Sequence, residues 1–288
     1  MEMVNNGKIL VTGGRGKTGS RIAKRLTDLG YAVRTADRGT SASESTNEHV
    51  AFDWFDETTF EPALKNVDKI YLVGPVAVMD PSKMMVPFLE KALKEGVRRV
   101  VLLSSASVPE NGPVFGKVHQ VIRQLVPEWA VLRPSYFMQN FTEGHHGAQI
   151  NSDGVMITAT GSGRVGFVDA DDIAEVGVRA LIDEQPHNTD HIITGPDSFS
   201  YAEAGEIIGA AAGRTIQHVN ISTEELAAGM MKFGMAEDYA HFLAGLDEAI
   251  RLHGTEDQVT DTVQRVTGRP PKSLKDFAIA HASHWKQK

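Results

Sequence analysis

The chain has 288 residues, 41% of them hydrophobic and 23% charged, values typical of a globular protein with a sizeable buried core. It contains no cysteine, which excludes disulfides, thiolate metal sites and cysteine nucleophiles. The formal net charge of −8 disfavours nonspecific nucleic-acid binding, and no apolar run approaches the roughly 20 residues that span a membrane. The scattered histidines lack metal-ligand spacing, so we expect no metal site. No signal peptide is visible, so we expect a cytoplasmic protein.

The first half of the chain alternates short β-branched runs with amphipathic helical stretches, a pattern typical of a parallel sheet covered by helices. The predicted strands are, in chain order, Lys8–Thr12, Ala32–Ala36, Val50–Phe52, Lys69–Val73, Arg99–Ser104 and Trp129–Leu132. The predicted helices are Ser20–Leu29, Thr58–Leu64, Pro81–Glu95 and Lys117–Leu125, and the polar segment Gly39–Glu48 is predicted to be a loop. We therefore expect an α/β fold of the Rossmann type, with a doubly wound parallel sheet.

The pattern changes after Pro134. A helix is predicted over Asp169–Ile182 and a short strand over His191–Thr194. From Tyr201 onward the chain is mostly helical, with a possible capping box at Ser222–Glu225. We expect one domain over residues 1–135, to which about 165–195 return, and a smaller, mostly helical C-terminal lobe over 136–164 and 196–288.

A glycine-rich segment joins the first predicted strand to the first predicted helix. It satisfies G-x-G-x-x-G at Gly14, Gly16 and Gly19, and G-x-x-G-x-x-G at Gly13, Gly16 and Gly19. In both registers glycine permits a tight turn, close approach of the backbone to a pyrophosphate and close packing of the helix on the sheet. The segment predicts a dinucleotide site in the first domain, with these candidate contacts: Gly13, Arg15, Gly16, Lys17, Thr18 and Gly19.

The glycine-rich segment allows two other interpretations, a P-loop and a structural turn without a ligand. A P-loop requires glycine at position 11, where the sequence has Val11, inside the strand. We also see no later strand that ends in an acidic residue suited to magnesium. A structural turn without a ligand is disfavoured by the strand–turn–helix context and the strand that follows.

The end of the second predicted strand bears on the choice of dinucleotide. Asp37 would accept hydrogen bonds from the adenosine ribose of NAD. Arg38, and Arg15 in the glycine turn, could each pair with the 2′-phosphate of NADP. Two cations against one carboxylate favour NADP(H) over NAD(H).

Four short segments together resemble the NmrA-like, atypical short-chain dehydrogenase/reductase family: Gly13–Gly19, Asp53-Trp54, Ser104-Ser105 and Leu132-Arg133-Pro134. The runs ILVTGGRGKTGSRIA, FDWFDETTF and YLVGP more narrowly resemble the branch of ergot-alkaloid (festuclavine/agroclavine) dehydrogenases and bacterial NAD(P)H quinone/azo reductase-like proteins. The resemblance covers about residues 7–183.

The resemblance implies roles at the carboxyl ends of successive strands, where doubly wound folds bind ligands. It places the adenine at Asp53 and Trp54, and the ribose and phosphates at Val73, Gly74 and Pro75. It places the nicotinamide near Ser104 and Ser105, in a pocket lined by Pro134, Ser135 and Tyr136. Each residue also has a structural interpretation: Trp54 as a core residue, the serines as loop caps, Pro134 as a strand end.

The residue that would supply a proton is not obvious. Familiar members use Tyr-x-x-x-Lys, in which the lysine lowers the tyrosine pKa, but this sequence has no tyrosine between Tyr71 and Tyr136. Three substitutes are open: Lys117, as in isoflavone-reductase-like proteins, His119, whose ordinary pKa suits proton transfer, and Tyr136. Lys117 and His119 could equally be exposed helix positions, and Tyr136 a packing residue against the cofactor.

An electron-poor acceptor needs no strong acid. We therefore expect an NAD(P)H-dependent oxidoreductase that transfers hydride to an imine or iminium, quinone, azo or enone compound. The alternative is an NmrA-type NADP(H)-binding redox sensor without turnover; a sugar-nucleotide epimerase would need the missing tyrosine.

The partner is expected to be a small apolar or aromatic substrate, not nucleic acid or membrane, and the chain is expected to be a monomer or a homodimer. Candidates for an apolar substrate wall, or for ordinary core packing, are Phe137, Met138, Phe141, Met230, Met231, Phe233 and Met235.

Overall fold

The computed structural model describes residues 7–39 and 47–285. They fall into two compact units, one within Met1–Arg133 and Ile173–His191, the other within Pro134–Asp172 and Ile192–Lys288. The strands are β1 (Lys8–Thr12), β2 (Val33–Asp37), β3 (Glu48–Ala51), β4 (Val67–Leu72), β5 (Arg99–Leu103), β6 (Glu128–Pro134), β7 (Val155–Thr158), β8 (Arg164–Val165), β9 (Thr189–Ile193), β10 (Phe199–Ser200) and β11 (Gln217–Asn220).

The α-helices begin with α1 (Gly19–Asp28), α2 (Phe60–Leu64), α3 (Ser82–Lys94), α4 (Gly116–Leu125), α5 (Gly144–Asp153) and α6 (Ala170–Ile182). They continue with α7 (Tyr201–Ala212), α8 (Thr223–Lys232), α9 (Glu237–His253), α10 (Thr262–Thr267) and α11 (Leu274–Ala280). Among residues 7–39 and 47–285, no helix is long and apolar enough to cross a membrane.

The first unit is built on a seven-stranded sheet with the order β3-β2-β1-β4-β5-β6-β9. The first six strands in this order all pair in parallel with their neighbours. The chain order reverses at β1, which lies between β2 and β4. Such a switch point is where doubly wound sheets bind ligands, beyond the carboxyl ends of the strands. The sheet confirms the predicted Rossmann-type fold class.

Helices cover both faces of this sheet. On one face Leu10, Leu72 and Leu102 pack with apolar residues of α2, α3 and α4. On the other face α6 comes close to α1 and β6, since a Cβ at Gly177 would lie 2.9 Å from Ile22 Cδ1 and 3.2 Å from Leu132 Cδ1. Burial on both faces explains why most of β5 and the second half of β4 are continuous apolar runs.

The predicted start of β3 is wrong, and the bounds of other elements, such as β4 and β6, shift by one or two residues. Glu48, predicted as the end of a loop, is the first residue of β3, which begins two residues before the predicted Val50. Glu48 stands opposite Arg34 in the β2–β3 register, and its carboxylate accepts hydrogen bonds from Arg34 Nε at 3.0 Å and Nη2 at 2.7 Å. The ion pair lets a charged residue occupy a strand position. The rest of the predicted loop, residues 40–46, lies outside the described residues.

The second unit combines many helices with two small sheets. β7 and β11 pair in parallel, and β8 and β10 pair antiparallel. Its main core includes Phe141, Tyr201 and Trp285, and the Trp285 indole N–H donates to the Phe141 carbonyl at 2.7 Å. The predicted capping box at Ser222–Glu225 is present at the start of α8.

Candidate functional site

The glycine turn lies at the switch point of the first sheet, between β1 and α1. Gly13 has φ +63°, in the left-handed region that favours glycine. Its N–H donates to the Ala36 carbonyl at 2.9 Å, and the Gly16 N–H donates back to the Gly13 carbonyl at 2.8 Å. These two bonds close a tight turn against the end of β2.

Gly19 is the first residue of α1 and packs directly on this turn. A Cβ at Gly19 would overlap the carbonyl oxygen of Gly13. Glycine therefore allows the amino end of the helix to reach the turn, where the N–H groups of a first helical turn have no partners within the helix. A bound pyrophosphate fits this cradle.

The candidate contacts of the turn differ in exposure. Arg15 and Gly16 are exposed, and Lys17 is partly buried. Thr18 is buried, and its hydroxyl oxygen accepts a hydrogen bond from the buried Tyr71 hydroxyl at 2.9 Å. The Thr18 side chain therefore anchors the start of α1 to β4. Burial raises the pKa of Tyr71, which keeps this donor protonated.

The segment after β4 is held against the end of β1. The Val73 N–H donates to Thr12 Oγ1 at 2.7 Å, and the Val73 carbonyl accepts from Trp54 Nε1 at 3.2 Å. Gly74 follows, and a Cβ there would meet Met85 Sδ at 2.8 Å. The backbone at Val73-Gly74-Pro75 is thus fixed beside the glycine turn, with the Val73 side chain over Gly13.

Trp54 packs in an aromatic cluster. Its ring centroid lies 4.8 Å from that of Phe52, 6.1 Å from Phe60 and 5.2 Å from Phe88, all in edge-to-face geometry. Trp54 is buried, so its indole ring packs in the core, while the indole N–H donates to the Val73 carbonyl after β4. Asp53, its neighbour, is partly buried, and its Oδ1 accepts from the Phe55 N–H at 3.0 Å.

Asp37, at the end of β2, faces the glycine turn. Its Oδ1 accepts from the Gly39 N–H at 2.8 Å and lies 3.3 Å from Arg15 Nε. Its Oδ2 is buried and has no hydrogen-bond partner among the described residues; His49 Nδ1 is 3.9 Å away. Arg38 is exposed. A buried carboxylate oxygen without a donor is the feature expected where a ribose hydroxyl would bind.

The ends of β5 and β6 are tied together by Arg133. Its guanidinium donates to the Ser105 carbonyl at 3.4 Å and the Ala106 carbonyl at 2.9 Å, and pairs with Asp190 at 2.6 Å. Ser104 is buried, and its Oγ has no hydrogen-bond partner within the part of the chain that the structure describes. Sequence reasoning singled out the two serines but missed Arg133 as the side chain that positions their loop.

The proposed proton donors Lys117 and His119 both lie on α4 but in different surroundings. Lys117 is exposed and lies near Asp80, whose pKa is lowered first by the Ser82 hydroxyl and also by the Lys117 charge. His119 is only 3% exposed, packs 6.1 Å from the Trp129 ring, and its Nδ1 has no hydrogen-bond partner among residues 7–39 and 47–285. Burial lowers its pKa, so the imidazole is neutral near pH 7.

The third proposed donor, Tyr136, lies in the second unit with Pro134 and Ser135. Tyr136 is partly buried, and its carbonyl accepts from the Val168 N–H at 2.9 Å. Ser135 is buried, and its hydroxyl donates to Glu256 Oε2 at 2.6 Å. Burial, and after it the charges of Asp247 and Glu256, raise the pKa of Tyr136, and sequence reasoning missed both acids.

The residues considered for an apolar substrate wall separate into three settings. Met138 and Phe141 are buried in the main core of the second unit, and Phe137 pairs with Val168 through an isolated bridge. Phe233 is 88% exposed. The remaining three pack, partly buried, against the smaller core at α8 and α9: Met230, Met231 and Met235. The described residues contain no group of three or more His, Asp or Glu side chains able to hold a metal ion.

Comparison with known proteins places this geometry in a family. The sequence profile of the NmrA-like family matches residues 5–270. The chain is 56% identical to an uncharacterized oxidoreductase, YesF, of Bacillus subtilis (strain 168), over 98% of both chains. It is 34% identical to an agroclavine dehydrogenase of Claviceps fusiformis, over 96% of this chain and 98% of the relative.

Solved structures show the same fold at low sequence identity. The NADPH-dependent quinone oxidoreductase QOR2 of Escherichia coli, complexed with NADPH, superposes with a TM-score of 0.79 at 18% identity. The match covers 94% of this chain and 98% of that chain. Both units of the chain therefore have counterparts in the sequence and the fold of known proteins.

Proposed function

Because the chain belongs to the NmrA-like family, we propose that this NAD(P)H-dependent reductase transfers hydride from NADPH to an electron-poor small molecule. The acceptor would be an imine or iminium, quinone, azo or enone compound. The observation that carries the proposal is the glycine turn at the sheet's switch point, where Gly19 packs on Gly13 and leaves a cradle for a pyrophosphate.

The reduced nicotinamide supplies the hydride when it is bound, and the protein's own residues would position the reactants. Asp37 would accept a hydrogen bond from the free 3′-hydroxyl of the adenosine ribose, and Arg15 would pair with its 2′-phosphate. Val73 and Gly74 would border the pyrophosphate. Ser104, whose buried hydroxyl has no partner among the described residues, would donate to or accept from the nicotinamide end. Arg133 would fix the loop that carries Ser104.

An electron-poor acceptor suits the proton donors that this chain offers. His119 is buried and neutral near pH 7, and the tyrosine of the familiar Tyr-x-x-x-Lys pair is missing. Lys117 is the proposed proton source of the first unit because its side chain carries N–H donors and is exposed. Iminium and quinone acceptors are reduced without prior protonation by a strong acid.

Turnover is tested with purified protein, NADPH deuterated at C4 and one acceptor of each class. The expected result is loss of NADPH absorbance with at least one acceptor. With an imine, iminium or enone acceptor, deuterium should be recovered at carbon in the product by mass spectrometry, whereas the O–D or N–D formed from a quinone or azo compound exchanges with water. The Lys117→Met variant should retain cofactor binding and lose rate at the proton-transfer step. Binding of NADPH without reduction of any acceptor would contradict the proposal and favour a redox-sensing role.

The preference for NADPH would come from Arg15 in the glycine turn and Arg38 directly after β2. A charge-assisted hydrogen bond contributes about 1.5–3 kcal/mol, or roughly ten- to a hundredfold in affinity. We expect the double variant Arg15→Ala/Arg38→Ala to raise the KM for NADPH at least tenfold and to change the KM for NADH less than twofold. Arg98→Ala, which removes a mostly exposed arginine of the same unit, is the matched control. Wild-type protein that prefers NADH would overturn this assignment.

A further inference from the structure

His49, on β3, has a side chain that packs at the end of β2 and has no part in the proposed reaction. The side chain is only 8% exposed. β3 pairs in parallel with β2, and the register sets His49 opposite Thr35. Because side chains of a strand alternate between the two faces of a sheet, Thr35, Asp37 and His49 share one face. His49 therefore lies beside Asp37, the carboxylate that faces the glycine turn.

The hydrogen bonds of the imidazole indicate where its protons lie. The Nε2 atom is 2.7 Å from the Gly39 carbonyl oxygen, which can only accept, so Nε2 carries a hydrogen. The Nδ1 atom is 3.4 Å from Thr35 Oγ1 and 3.9 Å from Asp37 Oδ2. A hydroxyl can donate or accept, so Thr35 suits Nδ1 with or without a proton. Nδ1 can therefore gain or lose a proton while the bond to Gly39 stays in place.

Asp37 is the group that responds to a proton on Nδ1. Its Oδ1 accepts from the Gly39 N–H and lies 3.3 Å from Arg15 Nε. Its Oδ2 is buried and accepts no hydrogen bond from the described residues. A neutral His49 turns a lone pair towards this side of the carboxylate, whereas a protonated His49 turns an N–H and a positive charge towards it. The charge that Asp37 presents to a ligand therefore depends on His49.

Two further charged groups lie near His49. Arg15 reaches the same carboxylate from the glycine turn, so it acts on His49 through Asp37. Glu48, the chain neighbour of His49, points to the opposite face of the sheet, where it pairs with two cations, Lys8 and Arg34. Among the described residues, Asp37 is therefore the acid that a proton on Nδ1 would neutralise.

We propose that His49 is a positioning residue that sets the choice between NADPH and NADH through Asp37. When the imidazole is protonated, it pairs with Asp37 and leaves Arg15 and Arg38 to bind a 2′-phosphate. When the imidazole is neutral, Asp37 keeps its negative charge, repels the phosphate and accepts hydrogen bonds from a free ribose diol. The inference rests on the proposed function in taking the end of β2 as the adenosine site.

The preference between the two cofactors should therefore depend on pH. Histidine is the side chain whose charge ordinarily changes within the physiological range, and a phosphate monoester is mostly dianionic above about pH 6.5. Lowering the pH to this value thus adds a positive charge near the 2′-phosphate, which keeps most of its own charge. The ratio of the NADH Kd to the NADPH Kd should increase roughly three- to tenfold from pH 8.5 to pH 6.5.

The test measures the Kd of NADPH and of NADH by fluorescence titration of the whole chain at pH 6.5, 7.5 and 8.5. His49→Gln keeps an N–H donor for the Gly39 carbonyl but cannot be protonated. We expect this variant to bind both cofactors with a ratio of Kd values that no longer changes with pH. Asp37→Asn should hold the ratio at or above the wild-type value for pH 6.5 at every pH, because the carboxylate charge is gone.

The matched control is His241→Gln, which replaces an exposed histidine on α9 in the second unit. It should show the pH dependence of the wild type. A wild-type ratio that does not change with pH, or a change that persists in His49→Gln, would overturn the inference. Acceptor reduction is measured on the same preparations. Turnover with a pH-independent ratio defeats this inference alone, and a pH-dependent ratio without reduction of any acceptor defeats the proposed turnover alone.

Discussion

At the scale of single residues, Gly19 has the most demanding surroundings in the glycine turn. A methyl group there would overlap the backbone carbonyl of Gly13, which cannot rotate away as a side chain can. We expect Gly19→Ala to push α1 off the turn and to raise the Kd for NADPH at least tenfold, because the helix N–H groups no longer reach the phosphates. Fluorescence titration with NADPH measures the change.

Gly229→Ala on α8 is the control for this substitution. A Cβ at Gly229 meets no atom within 4 Å, so the methyl group adds helix propensity without a clash. We expect unchanged NADPH affinity and a melting temperature equal to or above that of the wild type. Gly19→Ala protein with wild-type affinity would show that the turn does not form the phosphate site.

The placement of residues whose neighbours are close in sequence could be predicted. The glycines and Asp37 belong to a strand–turn–helix–strand pattern of about 30 residues, which fixes their neighbours. Arg133 and Asp247 could not be predicted, because their partners are distant in sequence: Asp190 for Arg133 and Ala159 for Asp247. Trp54 was predicted at the right strand end, but its core packing depends on Phe88, which no local pattern reveals.

At the scale of elements, Thr12 joins the carboxyl ends of β1 and β4. Its side chain is fully buried, and its hydroxyl oxygen accepts from the Val73 N–H at 2.7 Å. Thr12→Val keeps the shape but leaves that N–H without an acceptor, at a cost of about 1–3 kcal/mol in the free energy of unfolding. We also expect weaker NADPH binding, since Val73 borders the glycine turn.

Thr12→Ser is the matched control, because it keeps the hydroxyl and removes only a methyl group. It should retain NADPH affinity and lose less stability than Thr12→Val in urea unfolding. If both variants lose affinity equally, the methyl group and not the hydrogen bond positions the end of β4.

Elements with strong periodicity were predictable, and short ones were not. The six strands β1 to β6 and helices α1 to α4 were all predicted. All of them except β3 carry buried residues that set the period of the apolar pattern. β8 and β10 have two residues each, which are too few to show an alternation of apolar and polar residues. β11 is mostly exposed and polar, so its pairing with β7 left no apolar signal in the sequence.

At the scale of the whole molecule, the burial of Asp247 links stability to pH. The folded-state pKa of about 6 lies above the ordinary 3.8, so between these values the folded chain binds a proton that the unfolded chain has released. Stability from this group is therefore fully present below pH 3.8 and is lost as pH rises through 6. At pH 7.5 the ionised carboxyl costs about 3 kcal/mol relative to its protonated form.

Asp247→Asn removes this cost while keeping an oxygen that can accept the Ala159 N–H. We expect the ligand-free variant to be more stable than the wild type by about 2–3 kcal/mol at pH 7.5, with the difference disappearing near pH 4. Urea unfolding at a series of pH values measures it. Glu248→Gln, which neutralises the neighbouring acid on α9 that pairs with Arg251, should follow the wild type throughout. A variant less stable than the wild type at every pH would mean that the surroundings of Asp247 already compensate its charge.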